Sequence, residues 1–594
     1  MRYIFSVLLI FAISNTSTSQ TSYTISFPAA VHHEAEIEAV FKNIKNDTAT
    51  FKMSRSSPGR YALHEFAKNV YSVSATDLKD KPLTIFRTDP YSWHVTGHKG
   101  EIKVKYTLFA NHADGTYSQI DETHAHLNMP ATFMFMDELK DSKYQLKIMP
   151  RQDLNWKIAT QLQKESDTDF LAEDLQYFMD SPIEISDLRM RTFEISDNDR
   201  TQTIEVALHD SKASDSDFEQ YSKYVEDIVK QEQAVFGELP TYDFGKYTFL
   251  ACFMPQNSGD AMEHRNSTSL SSTRSLADGG VKGNLGSAAH EFFHCWNVER
   301  IRPQALEPFD FSEANMSGEL WFAEGFTNYF DGLSMVRAGV ITQEDFIQGM
   351  GRTFNFVWTS SGREYFNPIE MSYQAPFVDA ARSVDATNRN NTFISYYSYG
   401  DMLGLALDLA LRKEGKDLDS FMQLVWNTYG KKQQPYTVDD IHKSLSKFSS
   451  QKFSDDYFNN YIYKSEMPDF MPLFENVGLK YEIEKKPGFG VSVKDNKVLN
   501  NPTNGSTAYK AGIQENDKII RLNETSISNS QNPNTLISNM KVGDSINITL
   551  ERYGKLMTIE TEVLPETNYK IELIPDEGLN DEQRKNKLSW LGKK

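Results

Sequence analysis

The spacing of apolar positions changes along the chain and divides it. From about Gln20 to about Pro150, apolar residues alternate or cluster in short runs, such as Ser22 to Phe27, Ala35 to Phe41, Glu101 to Phe109 and Tyr144 to Ile148, with Gly59, Gly97 and Gly115 between them. Alternation sends successive side chains to opposite faces of a strand, so this stretch predicts a β-sandwich or open sheet. Over Phe218 to Phe236 the spacing becomes helical. Leu239-Pro240 ends that helix, and Tyr247 to Phe253 (YTFLACF) reads as an apolar strand. Helical patterns then continue to about Tyr463. Near Met471 the period returns to that of strands, with one short helix near Asn534 to Met540. The pattern predicts a multidomain α+β chain: an N-terminal β-rich domain over 20–165, a mixed sheet-and-helix domain over 166–470, a small β-rich domain over 471–566 and a polar tail over 567–594. Within the tail, Trp590-Leu591 is the apolar pair expected to dock back on the body.

Composition sharpens this. A chain of 594 residues is too long for a single core. Its formal charge of −20 argues against nucleic acid or an anionic membrane as the main partner, because both demand a basic surface. Cys252 and Cys295 are the two cysteines, too few for a zinc–cysteine cluster or a disulfide framework, and their apolar surroundings predict buried thiols. At the N-terminus, Arg2, an apolar core from Ile4 to Ile13, and the small residues Ser17 and Ser19 predict a signal peptide over 1–19. That core is too short to anchor the chain in a bilayer, and no later stretch is long and apolar enough. The expectation is an exported protein, periplasmic or secreted, with no integral membrane segment once mature.

The chemistry concentrates at His290-Glu291-Phe292-Phe293-His294, an HExxH pattern. Histidines four apart on a helix share a face, so both imidazoles can reach one metal ion, and the intervening glutamate can take a proton from the attacking water. A third ligand is expected in LWFAEGFTNYF, where Glu324 is the one acid in a strongly aromatic helix. A lone buried carboxylate is costly unless paired or bound to metal. Glu299, Glu307, Glu313 and Glu319 lie in a polar or Pro-interrupted connection that water solvates. His290, His294 and Glu324 together make the three-ligand layout of a hydrolytic zinc site, with one Zn²⁺ per chain. Asn328, one turn beyond Glu324, reads equally as a hydrogen-bond partner for a ligating histidine or as a helix-surface amide. Glu263, in GDAMEH, reads equally as a turn acid or as a counter-ion for a substrate's amino terminus. One of the tyrosines in Ser395–Gly400 can donate to an oxyanion, and helix-start packing accounts for the others. Glu122, His124 and His126 allow a second metal reading, with a surface loop or a strand carrying two solvated histidines as the plainer one.

HEFFHCWNVERIRP (His290 to Pro303), LWFAEGFTNYF (Leu320 to Phe330) and YYSYGD (Tyr396 to Asp401) together resemble the glycyl aminopeptidase family of zinc metallopeptidases. That family is a gluzincin group related to thermolysin and to aminopeptidase N. The run SPGRYALHEFAKNVYSVSA resembles the family's β-rich N-terminal domain, and the segment from about 473 to 565 resembles a PDZ domain. The resemblance implies a thermolysin-like catalytic domain that removes small N-terminal residues, of the glycine or alanine type, from peptides. It implies Zn²⁺ on His290, His294 and Glu324, with Glu291 as general base. It places the oxyanion tyrosine at Tyr397, counted back from Gly400, in preference to Tyr396 or Tyr399. It makes Glu263 the binder of the substrate's α-amino group, flanked by Met262 and His264, and it sets Asn328 where relatives place an aspartate against a zinc-bound histidine. For the PDZ-like domain it implies a groove for a peptide C-terminus, with Gly488, Phe489 and Gly490 as carboxylate loop. The competing readings are a thermolysin-like endopeptidase, and a PDZ-based peptide-binding protein with a vestigial zinc site.

Overall fold

A computed structural model describes residues 20–197, 200–380, 385, 387–527 and 531–592. The expected signal peptide over 1–19 lies outside the described residues. The N-terminal unit is built on a seven-stranded sheet that includes Thr21–Ala29, Glu34–Lys42 and Glu101–Phe109, with a four-stranded and a three-stranded sheet beside it. Glu101–Phe109 alternates buried and exposed along its length, as its sequence pattern requires. This unit runs past the expected boundary at 165. Asp169–Ala172 pairs with Tyr144–Met149, and Ile183–Ser186 pairs with His124–Leu127. Acidic residues interrupt the apolar alternation here, so the strands do not announce themselves.

The second unit begins with a five-stranded sheet. Its spatial order is Arg189–Asp197, Arg200–His209, Lys246–Phe253, Ser267–Ser272 and Asp260–His264, the last an antiparallel edge strand. The helix Asp215–Phe236 packs against it. Ser214 and Asp217 form a capping box at its start, and Gly237 takes the left-handed conformation (φ 81°) that closes its end. Phe218, Tyr221, Val225, Ile228, Val229 and Val235 are its buried face. The HExxH helix, Leu285–Phe293, lies under the same sheet, where Phe292 stacks on Phe249 with ring centroids 5.6 Å apart.

Two further helices complete the site: Gly325–Arg337 and Tyr396–Lys413. They cross where two glycines meet. A Cβ added to Gly325 would lie 2.2 Å from the Gly400 Cα, and one added to Gly400 would lie 1.9 Å from the Trp321 carbonyl oxygen. Only hydrogen fits at either position, and this close crossing brings Tyr396 and Tyr397 over Glu324.

The C-terminal β unit is carried on a two-stranded ribbon, Leu479–Gly488 paired with Leu564–Leu573. The ribbon is clamped to the helix Gln343–Trp358: the Tyr569 amide donates to Asn355 Oδ1 (2.8 Å), and Asn355 Nδ2 donates back to the Tyr569 carbonyl (2.7 Å). Trp590 and Leu591 are fully buried, and Trp590 Nε1 donates to the Tyr329 hydroxyl at 2.8 Å. Among the described residues, no helix is long and apolar enough to cross a membrane.

Candidate active site

His290 and Glu291 stand on the last turn of the HExxH helix, and His294 caps it. Glu324 sits at the joint between the short helix Leu320–Ala323 and the helix Gly325–Arg337. Its Oε2 lies 3.5 Å from His290 Nε2 and 3.2 Å from His294 Nε2. The far sides of both imidazoles are engaged: His290 Nδ1 lies 3.1 Å from Asp331 Oδ2, and His294 Nδ1 lies 2.6 Å from the Asn297 carbonyl. Each Nδ1 therefore carries a proton, and each Nε2 is left to face the Glu324 carboxylate, where it holds either a second proton or a cation. Two imidazole nitrogens and a carboxylate oxygen converging in a buried place need a shared proton or cation between them, so this donor set fits a zinc-class ion.

The charges around the site make the same demand. Glu263, Glu291 and His294 also bring ligand atoms within 4.8 Å of one another. Burial pushes the Glu291 carboxyl up to about 7, with the nearby histidines pulling against it. Burial also raises Glu263, and the charge of Glu324 adds to the rise. Burial disfavours charge on His294, yet the carboxylates of Glu324 and Glu263 outweigh it and raise the imidazole to about 9. Three carboxylates thus converge where only protons on histidine oppose them, and a divalent cation would relieve all three.

Glu263, His290, Glu291 and His294 line a cleft of about 570 Å³, together with Met262, Asn328, Asp331, Tyr396 and Tyr397. The ring of Tyr397 stands 5.7 Å from that of His290. Tyr396 packs on Tyr397 at 4.8 Å and against Tyr61 at 6.1 Å. Tyr399 faces away and packs on Trp358. Helix geometry thus separates two cleft tyrosines from one core tyrosine.

Three expectations need correction. Asn328 is not the partner of a zinc-site histidine. Asp331 takes that place against His290, while the Asn328 amide bonds the Asp401 carboxyl. His264 does not face the cleft. Its Nδ1 instead lies 2.9 Å from Asp180 Oδ1. His124 and His126 are not solvated: both are fully buried, while Glu122 is exposed.

The N-terminal unit, expected to carry no chemistry, supplies one end of the cleft. Tyr61 donates its hydroxyl to Glu324 Oε1 at 2.5 Å, fixing the carboxylate so that Oε2 faces the histidines. Gly59 sits directly over Glu263, and a Cβ there would lie 2.6 Å from Glu263 Oε2 and 2.1 Å from Met262 Sδ. Arg60 ion-pairs with Asp260 on the same edge strand. The segment Gly59–Tyr61 therefore closes the cleft at the Glu263 end. Behind His290, Glu232 is buried with neither carboxylate oxygen hydrogen-bonded. Burial pushes its carboxyl well above the usual range, and the charge of Asp331 adds to the rise.

In the C-terminal unit, Phe489 is buried in the local core, and Gly490 takes φ 82°. The Gly490 amide donates to the carboxylate of Glu566, so the chain's own acid occupies the loop where a peptide carboxylate was expected.

The comparisons agree with this architecture. The chain matches the Peptidase M61 N-terminal domain over residues 22–187, M61 glycyl aminopeptidase over 284–403 and a PDZ domain over 487–563. No curated protein matches it. A crystal structure described as an aminopeptidase N family protein from Idiomarina loihiensis shares its fold, with a TM-score of 0.83, 22% identity, and coverage of 96% of this chain and 100% of that one. An aminopeptidase A from Legionella pneumophila, solved in complex with aspartic acid, aligns at a TM-score of 0.44 and 11% identity, covering 93% of this chain and 58% of the other. The two M61 models and the PDZ model thus match in order along the chain, each over its own segment.

Proposed function

We propose that this protein is an exported zinc-dependent aminopeptidase that removes small N-terminal residues, of the glycine or alanine type, from peptides. The observation that carries the reading is the placement of Glu263. Its buried carboxylate lies beside Glu291 and His294, and Gly59–Tyr61 walls off the cleft immediately beyond it. An anionic pocket at a closed end suits a free α-ammonium group and leaves no path for a chain that continues past it. Tyr61, Met262 and Tyr396 fill that end with large side chains, and the family's description as glycyl aminopeptidases supports the small-residue preference.

His290, His294 and Glu324 would hold the zinc, which when bound supplies Lewis acidity at the scissile carbonyl and lowers the pKa of water. Glu263 accepts the substrate ammonium and fixes the first peptide bond in register with Glu291. Glu291 takes the proton from the attacking water and passes it to the leaving amine. A carboxyl raised toward neutrality by burial is well matched to both transfers. The Tyr397 hydroxyl donates to the developing oxyanion. Tyr61 and Asp331 act through Glu324 and His290, holding those side chains in orientation.

The testing experiment measures aminoacyl reporter substrates and N-terminally blocked peptides, with and without a chelator. Chelator-sensitive turnover of free glycyl and alanyl substrates is expected. Equal cleavage of blocked peptides would make the protein an endopeptidase. A correctly folded protein that holds no zinc and has no hydrolytic activity would leave peptide binding by the PDZ domain as its function. Export rests on the sequence of residues 1–19 and is checked by N-terminal sequencing of the mature protein, expected to start at Gln20.

A further inference from the structure

Away from the cleft, four side chains of metal-binding type meet in a closed place. His124 and Glu184 come from adjacent strands of the N-terminal unit. His209 and Cys252 come from adjacent strands of the catalytic sheet and stand opposite each other in register. All four are buried, and one ligand atom from each lies within 4.8 Å of every other. Cys252 Sγ is 3.2 Å from His209 Nδ1, and Glu184 Oε1 is 3.7 Å from the same nitrogen. Tetrahedral coordination at bond lengths of about 2.0–2.3 Å puts neighbouring donors about 3.3–3.8 Å apart, so the cluster needs only a small contraction at its widest pair.

The remaining atoms of these residues are held so as to leave the inward ones free. His124 Nδ1 is 3.0 Å from Thr123 Oγ1, whose own proton goes to Asp121 Oδ1 at 2.5 Å. Thr123 therefore accepts from His124 Nδ1–H, which leaves a lone pair on Nε2. Glu184 Oε2 is occupied by His126 Nδ1 at 3.0 Å, which turns Oε1 inward. His124 Nε2 and Glu184 Oε1 are both buried polar atoms with no hydrogen-bond partner. Two unpartnered donors to metal, a thiol and an imidazole, dry and converging, with the outer atoms of His124 and Glu184 anchored, have the layout of a closed structural site.

We propose that His124, Glu184, His209 and Cys252 bind a second zinc-class divalent ion, a structural clamp between the N-terminal unit and the catalytic sheet. Two imidazole nitrogens, one thiolate and one carboxylate fill four positions and leave none for substrate, unlike the three-ligand set in the cleft. On binding, Cys252 releases its thiol proton to solvent and becomes the anionic ligand. The clamp sits directly behind the cleft wall: Phe253, next to Cys252, lines the cleft, and Asn257 Nδ2 donates to the Cys252 carbonyl at 2.7 Å.

The test uses the full chain loaded with zinc or with cobalt(II), and measures metal per chain and the near-ultraviolet thiolate-to-cobalt charge-transfer band. The cleft site has no thiolate, so the band reports the second site alone. Two metal ions per chain and a clear band are expected for the wild type. The His290→Ala, His294→Ala double variant should keep one ion and the full band, and so should a Cys295→Ser variant keep the band, because Cys295 lies outside the cluster. Cys252→Ser should lose the band and one ion. If Cys252→Ser does not fold, the wild type and the double variant decide the matter without it. One ion per chain with no band in the wild type would overturn the proposal, as would a band that survives Cys252→Ser or vanishes in Cys295→Ser. Failure of the cleft reading gives the opposite pattern: the band persists while the double variant holds as much metal as the wild type.

Discussion

The protein contains two buried clusters of histidine and acid that differ in how they are assembled and in what they leave open. In the cleft, His290 and His294 come from a single helix and Glu324 from a nearby one, and the set stops at three ligands beside a cavity. At the domain junction, His124, Glu184, His209 and Cys252 come from four strands spread over the chain, and the set is closed on all sides. Three ligands and an open face suit turnover, whereas four ligands and no face suit stability. The comparison teaches that donor type alone does not identify a catalytic centre. What separates the two is the unfilled position and the cleft-lining carboxylates Glu263 and Glu291, which the junction cluster lacks.

Substitutions can break this contrast. The largest effect is expected at Glu291. Glu291→Gln removes the proton carrier but no metal ligand, and general acid–base catalysis contributes about 10²–10⁴ in rate. The variant should lose at least that much kcat while elemental analysis shows its metal retained; near-wild-type turnover would remove Glu291 from the mechanism. Next comes the support of His290. Asp331→Asn should weaken metal affinity in the cleft about 10–100-fold in a competition titration. Asn328→Ala should leave that affinity close to wild type, and the reverse ranking would restore Asn328 to the role Asp331 occupies.

Gly400→Ala tests the helix crossing. A methyl group there meets the Trp321 carbonyl, and overpacking of this kind costs about 1–3 kcal/mol. Denaturant melts should show that loss, accompanied by a fall in kcat as Tyr397 is displaced from Glu324. The smallest effect on activity is expected from His124→Ala. It should lower Tm, and chelator should no longer lower the Tm of a protein that also carries His290→Ala and His294→Ala. Turnover by the single variant should stay at the wild-type level. A collapse of kcat with unchanged Tm would mean that the junction cluster belongs to the chemistry.

The contrast also explains what could be read from the sequence. The convergence of His290, His294 and Glu324 was legible because helical periodicity is short. A spacing of four on one helix, and one acid in an aromatic helix, are local patterns with a physical meaning. The order of β-rich, helical and again β-rich regions was legible for the same reason, and the PDZ character of the last came from its resemblance to that domain. Asp331 was missed because residues four and seven beyond Glu324 share a helical face, and periodicity does not say which of the two reaches His290. His264 adjoins Glu263 in sequence but pairs with Asp180, distant along the chain, a contact that the local pattern does not encode. Tyr61 lies in a Gly/Pro loop of another domain, more than two hundred residues from Glu324, and the junction cluster needs four strands brought together from both units. Those contacts are consequences of the tertiary fold, which no local period encodes.

The central claim is that Glu263 makes this an enzyme of peptide ends. The most direct measurement is the ratio of kcat/KM for a glycyl peptide with a free amino terminus to that for the same peptide N-acetylated, in the wild type and in Glu263→Ala. An interaction with a buried charged partner is worth about 2–5 kcal/mol when one side is removed, so the wild-type ratio should exceed about thirtyfold. In Glu263→Ala it should fall close to one, mainly through loss of activity on the free peptide. A wild-type ratio near one, or a large ratio that survives Glu263→Ala, would contradict the account.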